Sequence, residues 1–403
     1  MNALRHLALA LVAFIAAAGI GLAHAQALRP EIGRPLQQAS QMLQAGNPRG
    51  ALAEVRKAEA VAGITPAERL TIDRMKAAAA QRAGDHALAV QALNAVFPRV
   101  TGAEQAQTAE SLAFAYSQLR NWSESRRWVD RARELGRDTP QLRQLVQFLQ
   151  SQTGDWAAVA RDAAAAVQAA ERARSRPAEA DLLRLADAQQ RLNDSAGQMA
   201  TLEKLVSYHP KQDYWAAYLG RLPRKSGFAQ RLTLDVMRLK LATDTLESTE
   251  DYFEMAQLAI QAGLPAEGVK IIDKGFANGK LGTGAEAERH QRLRVLAQQR
   301  DQARRESIAA DAAAAAQAPD GNALVDLGYA YVTMGEVERG IEMIEQGIAK
   351  GKLRRAEDAQ LRLGMAQLQS SKHRAKGVQT LRAIRATDGV AEVARAWAVL
   401  GRA

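Results

Sequence analysis

The sequence predicts an all-α fold, a solenoid of stacked helix pairs, and three observations carry that expectation. Ala, Leu, Arg, Gln and Glu dominate the chain, while Val, Ile and the aromatics never alternate over a run, so strand signals are scarce. The chain also repeats itself. Ile272-Asp-Lys-Gly-Phe-Ala-Asn-Gly-Lys-Leu281 matches Ile344-Glu-Gln-Gly-Ile-Ala-Lys-Gly-Lys-Leu353 at a displacement of 72 residues, which pairs Gly263 with Gly335, Gly268 with Gly340 and Val269 with Ile341 without a gap. Two units of about 36 residues, each a helix, a turn and a helix, fill that interval. Finally, Gly46-Asn47, Gly84-Asp85 and Gly154-Asp155 recur as helix stops: a left-handed Gly ends one helix and an Asn or Asp caps the next.

Taken in order, residues 1–25 read as an address rather than as fold. Arg5 supplies a positive start, Leu7 to Ala23 are almost unbroken apolar residues, and Ala23-His24-Ala25 has the small-x-small form of a cleavage site. A cleaved secretory signal is expected, with a retained membrane anchor as the alternative, and the mature chain is expected in the periplasm with no further membrane-spanning segment. With no Cys in the chain, it is not a lipoprotein anchored through an N-terminal Cys, and disulfide scaffolds, zinc ribbons and thiol nucleophiles are excluded.

Residues 26–210 form an N-terminal helical repeat region. Ala109, Leu112, Ala113 and Tyr116, followed by Ser125 and Val129, make one unit, and Leu182, Leu185, Ala186, Leu202 and Pro210 make another. The segment 211–248 breaks the spacing at Pro223 and Gly227, yet Trp215, Tyr218, Phe228, Leu232 and Leu234 are too apolar for a free linker. It is expected to be a degenerate helical unit, or else a hinge. Residues 249–403 hold the clearest repeats: Tyr252, Met255, Ala256, Gly268 and Ile272 open the region, an Ala-rich helix covers 301–318, and Gln360, Leu363 and Gly364 begin the last unit. Val390 to Leu400 read as a capping helix. Small residues such as Ala113, Ala256 and Gly328 let paired helices approach closely, and each pair needs its neighbours to cover its apolar face.

One unit resembles the tetratricopeptide repeat almost position by position. Leu324-x-x-Leu327-Gly328-x-x-Tyr331 stands where that family shows W-x-x-L-G-x-x-Y, and Gly340-x-x-x-Ile344 stands where it shows A-x-x-x-F. The resemblance implies a right-handed superhelix of antiparallel helix pairs whose concave groove, lined by the first helix of each unit, binds a protein segment. Carried over to this chain, the groove positions are Phe114 and Gln118, Phe253 and Gln257, and Asn322, Val325 and Tyr329, with Arg221 contributing from the irregular unit. Tyr208-His-Pro, Tyr214-Trp215 and Leu219, with the Tyr252 to Leu281 unit beyond, further resemble exported tetratricopeptide proteins associated with TonB-type energy-transduction systems. That likeness implies a periplasmic or membrane-associated protein partner, a component of such a system among them.

Chemistry leaves few traces. No H-E-x-x-H, G-x-S-x-G or S-x-x-K occurs, and Gly275-Phe-Ala-Asn-Gly279-Lys280-Leu281 lacks the spacing and the Ser or Thr of a phosphate loop. The expectation is therefore a noncatalytic scaffold with no cofactor and no metal. Net charge is +10, and Arg126, Arg127, Arg131, Arg133 and Arg137 cluster, as do Arg292, Arg294, Arg300, Arg304 and Arg305. With 5% aromatics there is little to stack on bases, so nucleic acid is not expected as a partner. The alternative function is a cell-envelope polymer-binding protein, or an enzyme acting on peptidoglycan or polysaccharide.

Overall fold

Why the chain is a series of helix pairs is visible at its turns, in a computed structural model that describes residues 28–402. The expected export signal, 1–25, lies outside those residues. Among the described residues there is no strand, and no helix is long and apolar enough to cross a membrane. The helices are α1 (Pro30–Gln44), α2 (Pro48–Glu59), α3 (Pro66–Ala83), α4 (His86–Val96), α5 (Gly102–Gln118), α6 (Trp122–Glu134), α7 (Pro140–Thr153), α8 (Trp156–Arg172), α9 (Glu179–Arg191) and α10 (Ser195–Tyr208). They continue as α11 (Gln212–Arg221), α12 (Thr233–Ala242), α13 (Thr249–Gln261), α14 (Pro265–Ala277), α15 (Ala287–Gln317), α16 (Asn322–Thr333), α17 (Val337–Lys350), α18 (Ala356–Gln369), α19 (Arg374–Ala383) and α20 (Val390–Leu400). The result is an all-α solenoid.

One device joins the two helices of most pairs. Gly84 stands at φ +74°, its N–H turns back to the Gln81 carbonyl, and the Asp85 N–H reaches the Ala80 carbonyl at 3.0 Å. The Asp85 side chain then accepts from the Leu88 N–H at 3.0 Å and starts α4. Together these bonds satisfy the last carbonyls of one helix and a first N–H of the next, and the short link makes the pair antiparallel. Gly46, Arg120, Gly154, Asn193, Gly263 and Gly335 repeat the left-handed stop, and Asn47, Asn121, Asp155 and Asp194 repeat the cap. These stops recur at intervals of 34 to 39 residues up to Asn193. Gly227, at φ +77°, continues the series inside the irregular segment. Between Gly263 and Gly335 one stop is missing, and there the chain runs through as the 31-residue α15. Leu296-Ala-Gln-Gln-Arg-Asp-Gln-Ala303 offers neither Gly nor Pro and, apart from Asp301, only good helix formers at the place where a turn would fall.

The chain divides into two units at Val159–Ala160, inside α8. That boundary lies well before the 211–248 segment, where the sequence reading divides the chain. In the first unit, Ile32, Leu36, Val55 and Ile72 form one core and Leu112, Trp128, Leu142 and Leu149 another, with Phe97 edge-on to Trp128 at 4.8 Å. In the second, a core running from Val167 to Ala398 takes in Trp215, Tyr218, Leu219, Leu222 and Leu232 of the irregular segment. A smaller cluster surrounds Tyr252, Phe253 and Ile272.

The last helix does more than end a stack. Besides α18 and α19, α20 packs on α10 and α12, far back in the chain. The Ala229 N–H donates to the Asp388 carbonyl at 2.9 Å, Arg231 bonds Asp358 and Asp388, Lys225 pairs with Glu392, and Arg395 pairs with Glu203. Gly389 sits at φ +103° against the Phe228 ring, where any side chain would collide. The second unit therefore closes on itself.

Candidate ligand-binding clefts

The closed second unit surrounds a polar cluster built from four helices. Arg238 of α12 is buried, an i,i+3 partner of Asp235 at 2.6 Å, and its other nitrogens grip both oxygens of Glu267 on α14 at 2.6 and 2.7 Å. Tyr329 of α16 lies between two guanidiniums, with Arg238 at 5.2 Å and Arg362 of α18 at 4.9 Å from its ring centre. Arg362 also stands 3.8 Å from Asp235. Burial pulls the Arg238 pKa down, but Tyr329, Glu267 and Asp235 leave it raised, so the guanidinium stays charged. Burial likewise pushes the Tyr329 phenol up, against the pull of Arg238. Burying an arginine is tolerable here because two carboxylates and an aromatic face replace its water.

Two clefts flank this cluster. The first, of about 450 Å³, has a floor of Leu241, Met255, Ile271, Met365 and Leu368 with the Trp397 ring as one wall. Lys270, Lys274 and Arg374 stand around it, all exposed. Lys270 Nζ donates to the Thr333 carbonyl at 2.6 Å, at the C-terminus of α16. Lys274 and Arg374 have no ion-pair partner among the described residues. Glu267 is the cleft's one lining carboxylate, and Arg238 occupies both of its oxygens. The second cleft, of about 400 Å³, is ionic, lined by Arg231, Arg354, Arg355 and Arg362 with Asp235, Asp326 and Asp358. Part of its charge is internally matched: Arg231 bonds Asp358 at 2.7 and 2.8 Å and Asp388 at 2.6 Å, and the Asp358 hydrogen bond holds its pKa raised, while Arg354 and Arg355 are exposed.

The residues expected in a groove scatter. Tyr329 lines the first cleft, while Asn322 and Val325, on the same helix, line the second. Asn322 ties down the following loop: its amide donates to Asp320 at 2.7 Å and its oxygen accepts from the Arg354 N–H at 3.0 Å. Phe253 is a core residue rather than a groove residue, 3% exposed, because α15 lies over it with the Arg289 guanidinium 4.1 Å from the ring centre and His290 at 5.7 Å. Phe114 is packed into the core of the first unit, and Gln118 and Gln257 are half-buried. Arg221 donates to the Ala217 carbonyl of its own helix at 3.4 Å. None of these five lines either cleft. The cleft residues not anticipated are Arg238, Glu267, Lys270, Lys274, Met365, Arg374 and Trp397. An Asp235/Arg238 pair inside the apolar run Leu234-Asp-Val-Met-Arg-Leu-Lys-Leu241 was the available signal.

No family model matches the chain, and no curated protein sequence matches it significantly. Among solved structures it is similar to the TPR2AB-domain:pHSP90-complex of yeast Sti1, at 15% identity over 66% of this chain and 98% of that one, with a TM-score of 0.31. It is also similar to the structure of Naa15/Naa10 bound to HypK-THB, at 14% identity over 88% of this chain and 59% of that one, with a TM-score of 0.35.

Proposed function

We propose that the chain is a noncatalytic interaction scaffold that captures a protein segment in the apolar cleft of its second unit, and that it works in the periplasm within an envelope transport or assembly complex. The observation that supports this reading is the cleft itself: an apolar floor, open to solvent, with Lys274 and Arg374 beside it exposed and without an ion-pair partner among the described residues. A segment that buries one or two apolar side chains there gains hydrophobic free energy. Catalysis finds no support at this place, since both oxygens of Glu267 are bound by Arg238 and cannot serve as a general base.

Export rests on residues 1–25, and a TonB-type component is the first partner to seek on the strength of the Tyr208 to Leu219 resemblance. In the structure Trp215 and Tyr218 of that stretch are buried and edge-on at 6.4 Å, and Tyr214 bonds Glu179, so their contribution is to the fold. The polymer-binding alternative gains no specific observation. Arg126 lies 3.6 Å from Asp155, Arg127 3.0 Å from Glu124, Arg131 2.9 Å from Glu134 and Arg294 2.7 Å from Asp273, so the arginine clusters are largely compensated.

The test is in-cell photocrosslinking from Gln369 and Leu400, which line the cleft, with the exposed Leu296 as control. One protein captured from both cleft positions and not from Leu296, and binding again when purified, is the expected result. Equal capture from all three positions would sink the scaffold reading.

A further inference from the structure

We infer that the seam where α20 meets α10 and α12 is an ionic latch, which opens and closes in the free chain and whose opening parts the apolar cleft. The latch concerns how the cleft is held together, and so goes beyond the scaffold reading. The cleft stands astride the seam. Leu241 of α12 lines it from one side, and Leu368 of α18 with Trp397 and Leu400 of α20 line it from the other. Across the seam run ion pairs of Lys225 with Glu392, of Arg395 with Glu203, and of Arg231 with both Asp358 and Asp388. Their side chains are between 13% and 42% exposed, so water and salt reach every pair and each contributes little.

The face that α20 buries is mostly small: Ala391, Ala394, Ala396 and Ala398 beside Val390 and Val393. Apolar burial stabilises in proportion to area, so alanines hold a helix down weakly. Three buried polar atoms then oppose closure. Tyr218 of α11 is 0% exposed with its hydroxyl unbonded, and Glu392 Oε2 and Trp397 Nε1 on α20 have no hydrogen-bond partner among the described residues. The Tyr218 hydroxyl lies among the seam's own charges, Glu203, Arg395 and Glu392. Water that enters an open seam bonds such atoms, so opening recovers the hydrogen bonds that burial forfeits. Screenable pairs that favour closure, set against unbonded atoms that favour opening, make a two-state joint. The moving part is α20 together with α18 and α19, since the Gly401 end of α20 is pressed on Leu368 and Val378 of those helices. On the scaffold reading, a segment in the cleft touches both lips and holds the latch shut, and by linkage the latch sets how tightly that segment is held.

The experiment measures the joint without a partner. The chain has no Cys, so spin labels attach only at introduced ones. One pair, Ser207→Cys with Arg402→Cys, spans the seam, both positions being exposed, on α10 and just after α20. A second pair, Gln379→Cys with Arg402→Cys, lies within the moving part. At about 0.05 M salt, pulsed electron spin resonance is expected to find one short distance across the seam, and by about 1 M a second distance at least about 10 Å longer, while the second pair does not change. Glu203→Arg is expected to raise the open population at low salt at least about threefold, and Glu203→Arg with Arg395→Glu to restore the closed one. The salt series keeps the native ion pairs and needs no variant of the seam that could misfold. A single short distance at every salt concentration overturns the inference, as does lengthening of the second pair, which is fraying of the terminus, or a charge swap that leaves the seam open. None of these results touches the scaffold reading, which the crosslinks from Gln369 and Leu400 decide.

Discussion

Helices α16 and α17 touch through glycine: Gly328 faces Gly340, and Gly321 faces Gly347. This contact is the structural content of the best repeat unit, and one methyl group tests it. A Cβ placed on Gly340 would stand 2.5 Å from the Gly328 carbonyl oxygen and 3.0 Å from the Val332 nitrogen. The Val332 Cγ2 is nearer still, at 2.4 Å, but the Gly328 oxygen is backbone and cannot swing aside, and since ordinary contacts begin at 3.4 Å the helices must separate by about 0.9 Å. Replacing a helical Gly by Ala gains about 1 kcal/mol of helix propensity, while overpacking a tight contact costs about 1–3 kcal/mol. Gly340→Ala should therefore lower stability by up to about 2 kcal/mol. Gly220 supplies the control. It lies on the exposed side of α11 with nothing within 4 Å of where its Cβ would be, so Gly220→Ala should stabilise by about 0.5–1 kcal/mol. Urea unfolding followed by circular dichroism reads both. If Gly340→Ala raises the midpoint as Gly220→Ala does, the close approach of α16 and α17 does not exist in solution.

Two further outcomes test other features. Glu68 accepts from Arg29 at 2.8 and 3.0 Å and from the Thr65 N–H at 2.9 Å, and these bonds, Arg29 foremost, lower its pKa from 4.5 to about 2. Its stabilisation is thus present above about pH 4.5 and lost as pH falls through about 2, so Glu68→Gln should unfold earlier than the wild type at neutral pH and converge with it in acid; a gap that persists at the lowest pH refutes this assignment. Tyr331 is 1% exposed, carries Arg339 4.0 Å from its ring centre, and has a hydroxyl with no hydrogen-bond partner among the described residues. Tyr331→Phe should keep the ring packing and raise stability by about 1 kcal/mol, and a loss of that size in denaturant unfolding would show that the hydroxyl is bonded after all.

The turns were the most legible part of the fold, because Gly-Asn and Gly-Asp mark a left-handed stop followed by a cap. Arg120-Asn121 and Asn193-Asp194 perform the same turn without glycine, and only the cap residue betrays them in sequence. The segment 211–248 looked irregular because its turn runs through short 3₁₀ stretches at Leu222–Arg224 and Gln230–Leu232 around Gly227, instead of one tight reversal. Groove positions were harder to place. They were mapped on the assumption that each first helix faces open space, and Phe253 fails that assumption because the continuous α15, which no periodic unit predicts, lies across it. Likewise Arg238 finds its partners Glu267, Tyr329 and Arg362 on three other helices, and no local pattern announces such a meeting.

The return of α20 to α10 and α12 gives the second unit a fixed number of turns. An open stack can grow by copying a unit, since every new pair meets only its neighbours and nothing elsewhere has to move. Here an added helix pair would push α20 off Glu203, Lys225 and Phe228 by about the width of a helix, roughly 10 Å, and reopen the seam. The seam also joins residues nearly two hundred positions apart, so closing it carries the entropy of a long loop, and the cleft has its Trp397 wall only once α20 has docked.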